Sequence, residues 1–547
     1  MQAFEADYIV VGAGSAGCAI AARLSEDPGV KVLLLEAGGS DEDFLIRMPL
    51  GFLRALFKPQ YTWGYLSEPE PQLNGRKLWL PRGKLLGGSS SVNGMFYMRG
   101  HSRDFDGWSE AGCTGWSYAE VLPYFKRMET SWRGAGPWHG GKGPSSVRAI
   151  DSSRLLHEPL MATAAANGYQ PVQDLHGELE EGCAKGEATI DPRGRRSNTA
   201  QAYLKPAAGR PNLRVLTGAQ TTRVLFTGNR ATGVELLQGG QLHHAYAARE
   251  VVLCGGAFNS PHLLMLSGIG PAAELQQHGI PVRVDAPAVG QNLSEHPRVP
   301  VEFTTRQPIT FLNQLRMDRA TFSVLRWFVA GTGAFASQLN SCNIVVRTQE
   351  QLDRPDVQLM CNPVRMDAKL WWPGGAQQQH RITADVVLLH PEARGQVSLR
   401  SADPLQTPRV QLNLFQSDAD FATAWRGMQL ARRIYATEPM RSLVADETAP
   451  GPAVNDRAAF DAYVRKAAGV TQHPVGTCRM GSDNAAVLDP QLRVRGVEGL
   501  RVADASVMPT VPGGNTNAAS IMIGEVAADL LRGRKLPPEY LRGEPPA

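Results

Sequence analysis

The chain has 547 residues, 43% of them hydrophobic and 20% charged, so an ordinary buried core is available and wholesale disorder is excluded. Its 56 basic and 52 acidic residues leave a net charge of +4 with no basic block, so no nucleic-acid partner is expected. The length fits three or four domains or one large two-domain enzyme, and the stretches free of Asp, Glu, Lys and Arg (251–273, 327–346 and 505–524) are each broken by Gly, Asn or Ser, so none reads as a membrane span.

The first strong pattern starts at Tyr8, which leaves no room for a secretory leader. Tyr8, Ile9, Val10 and Val11 form a β-branched run fit for a buried strand, the glycine turn Gly12-Ala13-Gly14-Ser15-Ala16-Gly17 follows, and Cys18 to Leu24 reads as helix. A second buried strand, residues 31–35, ends in Glu36 and Ala37. In this βαβ opening, Gly12 permits the tight turn, Gly14 lets the backbone approach a pyrophosphate, and Gly17 lets helix and strand pack closely. The helix N-terminus, with Ser15 and Ala16, offers free N–H groups to the diphosphate. Glu36 is placed to accept the hydroxyls of an unphosphorylated ribose, as in NAD or FAD.

Residues 40–145 are rich in Gly, Pro and aromatics, with one capped helix announced by Ser117 and Glu120. Strand patterns return at 213–216, 223–226, 233–236 and 250–254, followed by a helix at 260–266. Between about 300 and 466, alternating stretches such as 385–389 mix with helical ones such as 421–436. The last segment returns to the pattern of the first, since a strand at 500–503 ends in Asp504, a Pro/Gly loop follows, and Asn515-Thr516-Asn517 opens a helix. The expected fold class is therefore α/β, with a discontinuous nucleotide-binding domain (1–155, 197–300 and 467–547) and an inserted substrate domain (156–196 and 301–466). The seven Cys are widely spaced and odd in number, with no C-x-x-C pair, so neither a disulfide framework nor a metal site is expected and cytoplasm is the expected compartment.

Three further segments carry a family resemblance: residues 83–93 (GKLLGGSSSVN), residues 256–270 (GAFNSPHLLMLSGIG), and a C-terminal set made of residues 473–481 (HPVGTCRMG), Asp504-Ala505-Ser506 and Gly514-Asn515-Thr516-Asn517. With the opening motif they span residues 7 to about 532, and in order and spacing the chain resembles the glucose–methanol–choline (GMC) oxidoreductases, bacterial alcohol and choline dehydrogenases above all. The resemblance implies FAD bound in a Rossmann-like domain, beside an α+β substrate domain with a mostly antiparallel sheet. It implies that Gly12, Gly14, Ser15, Ala16 and Gly17 take the diphosphate, Glu36 and Ala37 the adenosine ribose, Val224 the adenine side through its backbone, and Asp504 the ribityl–diphosphate part. Gly87, Gly88, Ser89, Asn93 and Gly94 would run along the isoalloxazine, and Asn515 belongs to the cofactor set. Some members tether FAD through a His directly before this Asn; here Val92 stands there, which points to non-covalent FAD.

Oxidising an alcohol to a carbonyl removes a hydroxyl proton and a hydride, and His is the natural base near neutrality. His473 matches the family's catalytic His, and Asn517 is assigned as its partner, holding the substrate oxygen for hydride transfer to flavin N5. His296 and His390, each before a Pro, read as structural, and His243 and His244 as a surface pair in a polar loop. Trp371 and Trp372 fit a pocket wall or an exposed loop equally. The helix expected at 320–330, with Phe322, Leu325, Trp327 and Phe328, reads as core-facing rather than as a membrane-surface or lid helix. Choline-type relatives carry a Glu in the segment matching 337–345, where this chain has no acid; a neutral primary alcohol, aliphatic or aromatic, is the expected substrate. The electron acceptor expected is O2 or a quinone, with contact at the inner membrane surface left open. A hydroxynitrile-lyase-like reaction on the same scaffold and a non-catalytic flavoprotein are the competing readings.

Overall fold

Short runs of Val, Ile and Leu that are buried on both faces build parallel strands, because helices must cover each side. The computed structural model, which describes residues 3–375 and 378–542, follows that rule in the first of two seven-stranded sheets. Its parallel core joins Ala3–Val11 to Val32–Leu35 on one side and to Gln241–Leu253 on the other, with Leu213–Leu216 and Leu500–Val502 extending it. An antiparallel meander, Ala219–Thr227, Arg230–Gln238 and the first half of Gln241–Leu253, completes the sheet. His243 and His244 therefore lie in a strand, opposite Leu236 and Glu235, and are half-buried; they are not in the surface loop expected.

Two helices bring their N-termini to the carboxyl ends of these strands, where open α/β sheets bind ligands. Ser15–Leu24 and Thr516–Leu531 pack so closely that a Cβ on Gly524 would stand 2.6 Å from the Ala16 carbonyl oxygen.

The second sheet is antiparallel throughout and runs in the order Val444–Ala449, Pro297–Thr305, Arg381–Leu388, Val357–Asn362, Cys342–Val346 and Gly182–Ala184, with Gly469–Val470 also paired to Pro297–Thr305. It draws strands from both sides of the boundaries expected at 300 and 467. The helix Asp418–Tyr435 covers one face, and Gly427 lets it sit against Val386, which a Cβ would meet at 2.3 Å.

The helix Met317–Ala330 departs from expectation. Only Ala320, Ser323 and Trp327 are buried, while Phe322, Leu325, Phe328 and Val329 face solvent. Its apolar residues are split between two faces, and the smaller set takes the core. Among the described residues, no helix is long and apolar enough to cross a membrane.

Candidate active site

One cavity of about 660 Å³ lies between the two sheets, within the ~300–1,000 Å³ usual for small-molecule and cofactor sites. Gly12, Gly14, Ser15, Ala16, Glu36 and Ala37 line one end. The three glycines of the opening turn differ in what requires them. Gly12 has φ +102°, and a Cβ there would press to 2.5 Å from the Cys254 carbonyl oxygen; at Gly17 a Cβ would stand 1.9 Å from the Gly12 carbonyl oxygen. At Gly14 no left-handed φ demands glycine, and the nearest atom to a Cβ would be 3.9 Å away. The protein itself has no need of a glycine at Gly14, so the bare backbone there keeps room for a ligand, as the diphosphate of a dinucleotide requires. Glu36 closes this end, accepting the N–H groups of Ala13 at 2.9 Å and Gly38 at 2.8 Å. Burial pushes its carboxyl up to about 7.

The stretch Gly87–Gly94 runs along the cavity wall. Gly87, at φ +84°, hangs its N–H on the Ala13 carbonyl at 2.8 Å, and Gly88, at φ +52°, lies so near the first turn that a Cβ would meet the Gly14 Cα at 2.7 Å. Gly88, Ser89, Val92, Asn93 and Gly94 line the cavity; Gly87 and Gly17 lie behind it. Asn93 is held by Oδ1, which accepts from the Met95 N–H at 3.0 Å and from Arg196 at 2.8 Å. Asp504 lines the cavity and knots its loops, accepting from the Gly256 N–H at 2.8 Å, the Ser260 hydroxyl at 2.6 Å and the Ser506 N–H at 2.7 Å. Val224 is off the cavity, its N–H donating to the Ser267 hydroxyl at 2.9 Å; Ala219, Gln220 and Thr221 of the same strand line it instead.

His473 stands where the two sheets meet. Its Nδ1 lies 3.0 Å from His296 Nδ1 and 2.9 Å from the Thr471 hydroxyl, and its Nε2 lies 3.0 Å from Asn515 Nδ2. One carbonyl fixes the protons of this chain. His296 Nε2 is 3.0 Å from the Leu389 carbonyl oxygen, which can only accept, so His296 carries its proton on Nε2. Burial first, and then the charge of His390, hold His296 down to about 3, so the ring is neutral and its Nδ1 accepts. His473 must then donate from Nδ1, which leaves a lone pair on Nε2. The Asn515 amide N–H donates to that lone pair. Thr471 donates its own hydroxyl to the His296 carbonyl at 3.2 Å and so receives the His473 proton as a second acceptor.

Burial and charge keep this histidine neutral. Burial above all, and then His296 and Arg82, hold His473 well below the usual histidine range. Arg82 lines the cavity and donates to the Gln472 carbonyl at 3.0 Å. Beneath the pair, Glu295 accepts the N–H of His473 at 2.6 Å and that of His296 at 3.0 Å, and burial pushes its carboxyl up to about 7.

Both asparagines line the cavity with His473, but the hydrogen bond to its Nε2 comes from Asn515, while Asn517, expected as the partner, accepts at its Oδ1 from the Ser15 hydroxyl at 2.7 Å, at the glycine turn. The reason is their place on the helix Thr516–Leu531. Asn515 is its N-cap residue, in extended backbone, and Asn517 is already in the first turn, so the side chains leave in different directions. The sequence pattern does not announce His296, Thr471, Glu295 and Arg82 as neighbours of the base; its one signal is the His296-Pro297 pair, which reads as structural. Trp371 and Trp372 do not line the cavity: Trp371 donates its ring N–H to the Leu312 carbonyl at 3.1 Å, and Trp372 is 68% exposed.

A parallel sheet with a dinucleotide turn, joined by one cavity to an antiparallel sheet and a half-buried neutral histidine, defines a flavoprotein-type oxidoreductase. The GMC oxidoreductase model matches residues 6–298 with its N-terminal part and 391–524 with its C-terminal part. The chain is 41% identical over 534 residues to an oxygen-dependent choline dehydrogenase of Brucella canis, covering 97% of this chain and 96% of that one. Among solved structures it is similar to pyridoxine 4-oxidase from Mesorbium loti (29% identity, TM-score 0.87, 97% of this chain and 100% of that one). It is also similar to a variant of Aspergillus oryzae formate oxidase (28% identity, TM-score 0.90, 97% and 99%). The chain belongs to the GMC oxidoreductase family. It is an FAD-dependent oxidoreductase acting on an alcohol CH–OH group.

Proposed function

We propose that the protein oxidises a neutral primary alcohol, aliphatic or aromatic, to the aldehyde, with non-covalently bound FAD and His473 as the base. The observation that carries the reading is the unprotonated His473 Nε2, held on the cavity by the fixed proton order from Leu389 through His296. When bound, FAD supplies the two-electron acceptor that takes the hydride from the alcohol carbon.

Gly12, Gly14, Ser15 and Ala16 would hold its diphosphate, Glu36 and Ala37 its ribose, and Gly88 to Gly94 its ring system. Val92 has no nucleophile to bond a flavin, in keeping with non-covalent binding. His473 Nε2 accepts the hydroxyl proton once the substrate hydroxyl displaces the Asn515 amide N–H from its lone pair, and the Nδ1–H already shared with His296 and Thr471 keeps the ring oriented as it becomes cationic. Asn515 has a second amide N–H for the substrate oxygen, and its buried Oδ1 has no partner among the described residues.

Charge supports a neutral substrate. Each carboxylate on the cavity wall is already engaged: Glu36 by backbone N–H groups, Asp504 by Gly256 and Ser260, and Asp385 by Arg298 at 2.6 Å. Gln338 stands in the segment where choline-type relatives carry an acid, and it donates to the Gly94 carbonyl. A trimethylammonium group finds no free carboxylate on this cavity wall among the described residues. Lyase chemistry is not favoured, since the named relatives are dehydrogenases and oxidases.

The test is anaerobic mixing of the flavin-loaded protein with aliphatic and benzylic primary alcohols and with choline. Bleaching by neutral alcohols at rates well above choline supports the reading. Choline as the fastest reductant would overturn the substrate assignment. Admitting air or benzoquinone then distinguishes O2 from a quinone as acceptor by which restores the flavin colour.

A further inference from the structure

The helix Met317–Ala330 presents an apolar stripe to solvent on a protein that has ample polar residues to cover it. Phe322, Leu325 and Val329 recur at i, i+3 and i+7 on the outward face, with Phe322 65% and Val329 89% exposed, and Phe328 flanks them. The opposite stripe, Ala320, Ser323 and Trp327, anchors the helix, and Trp327 donates its ring N–H to the Gly194 carbonyl at 2.8 Å.

The patch continues beyond the helix. Phe44 lies against Phe328 with ring centroids 6.0 Å apart. The segment bearing Trp372 is tied to the helix start by the Met317 N–H on the Trp371 carbonyl at 2.8 Å. Leu53 and Leu56, which line the cavity, pack on the same buried cluster as Val324 of the helix, and Phe57, also on the cavity, is 70% exposed. The helix and one wall of the cavity therefore share a buried cluster. A contiguous apolar patch of this kind marks an interaction surface.

Its charges select the partner. Arg319 and Arg326, seven positions apart, flank the stripe on the outward side, and neither makes an ion pair among the described residues. Arg319 reaches only the Asn313 carbonyl and Arg326 the Thr332 hydroxyl. The acids Asp318 and Asp367 are held by Arg316 at 2.7 Å and Arg365 at 3.1 Å, Asp43 beside Phe44 accepts from the Tyr61 hydroxyl at 2.6 Å, and Glu42 is the exposed acid at that end. A second copy of the same face would set arginine against arginine. An anionic bilayer satisfies both features, taking the apolar stripe at the acyl boundary and the arginines at the headgroups.

We propose that the outer face of Met317–Ala330, with Phe44 and Trp372, docks this protein on anionic phospholipid membranes. The proposal does not depend on which alcohol is oxidised.

The probe is the flavin-loaded enzyme mixed with vesicles of phosphatidylcholine alone or with phosphatidylglycerol, followed by sedimentation. Partitioning onto the mixed vesicles, weakened by salt and slight on phosphatidylcholine, is expected. The double variants R319E/R326E and F322S/V329S each lose at least tenfold in partitioning while keeping their flavin spectrum and their rate with a water-soluble alcohol. The proposal is overturned if the enzyme stays in the supernatant with both vesicles, or if both variants bind like the parent. It is equally overturned if light scattering shows a dimer that F322S/V329S splits and no vesicle binding accompanies it.

Discussion

Replacing Asn515 and Asn517 separately by Ala separates catalysis from cofactor holding. Asn515 places an amide donor 3.0 Å from Nε2 of His473, and its own Oδ1 has no partner among the described residues. Once the substrate hydroxyl takes that nitrogen, the freed amide can donate to the substrate oxygen, and losing such a preorganised donor costs about 10²–10³ in turnover, or about 3–4 kcal/mol of barrier. Asn517 makes a 2.7 Å hydrogen bond to Ser15 at the glycine turn, and a hydrogen bond of that type is worth about 0.5–1.5 kcal/mol. Asn517→Ala should therefore weaken FAD binding by about two- to tenfold and leave flavin reduction unchanged once the protein is saturated. Asn515→Ala should retain FAD and lose reduction rate. Rapid anaerobic mixing with an alcohol and a separate FAD titration of the apoprotein read the two effects. A collapse of reduction in fully loaded Asn517→Ala, with Asn515→Ala near the parent rate, would refute the exchange of roles.

Further predictions concern the groups around this pair. His296→Leu removes the acceptor that fixes the His473 proton, which should slow reduction by about ten- to a hundredfold; because His296 helps hold His473 low, the acid limb of the kcat/KM profile should move to higher pH, and an unmoved limb would deny His296 its orienting role. Glu295 is raised by burial from 4.5 to about 7, so the folded chain keeps a proton that the unfolded chain has released. That contribution to stability is whole below about pH 4.5 and lost as pH rises to about 7, about 3 kcal/mol in all; urea unfolding of Glu295→Gln should lack that loss, and a slope equal to the parent's would contradict it. Gly14→Ala should lower FAD affinity with little change in apoprotein stability, whereas Gly17→Ala, whose Cβ meets a backbone oxygen at 1.9 Å, should destabilise the fold by about 1–3 kcal/mol or more; thermal melts and FAD titration of both variants test the contrast.

The dinucleotide turn is legible in the sequence because its physics is local. Gly12, Gly14, Gly17 and Glu36 act within one βαβ unit, and strand run, turn and acid adjoin in the chain. The base cluster is less so. His473 stands out by its motif, but His296 comes to it through the pairing of Pro297–Thr305 with Gly469–Val470, a long-range register that no periodicity reports. Asn515 and Asn517 are the same residue type on one helix start, so only the direction in which each side chain leaves the first turn tells them apart. The helix Met317–Ala330 misleads for a related reason. It has apolar residues on two faces, and the small residues Ala320 and Ser323, beside Trp327, pack inward more closely than the larger ones would.

The central claim is that His473 takes the alcohol proton while the flavin takes the hydride. Its most direct test is the anaerobic rate of flavin reduction in His473→Ala, loaded with FAD to the same extent as the parent, across a range of pH. A loss of about 10²–10⁴ is predicted, with FAD affinity retained and partial recovery at high pH, where the alcohol ionises without help. Reduction at the parent rate by the same alcohol would contradict the assignment and require another base in this cavity.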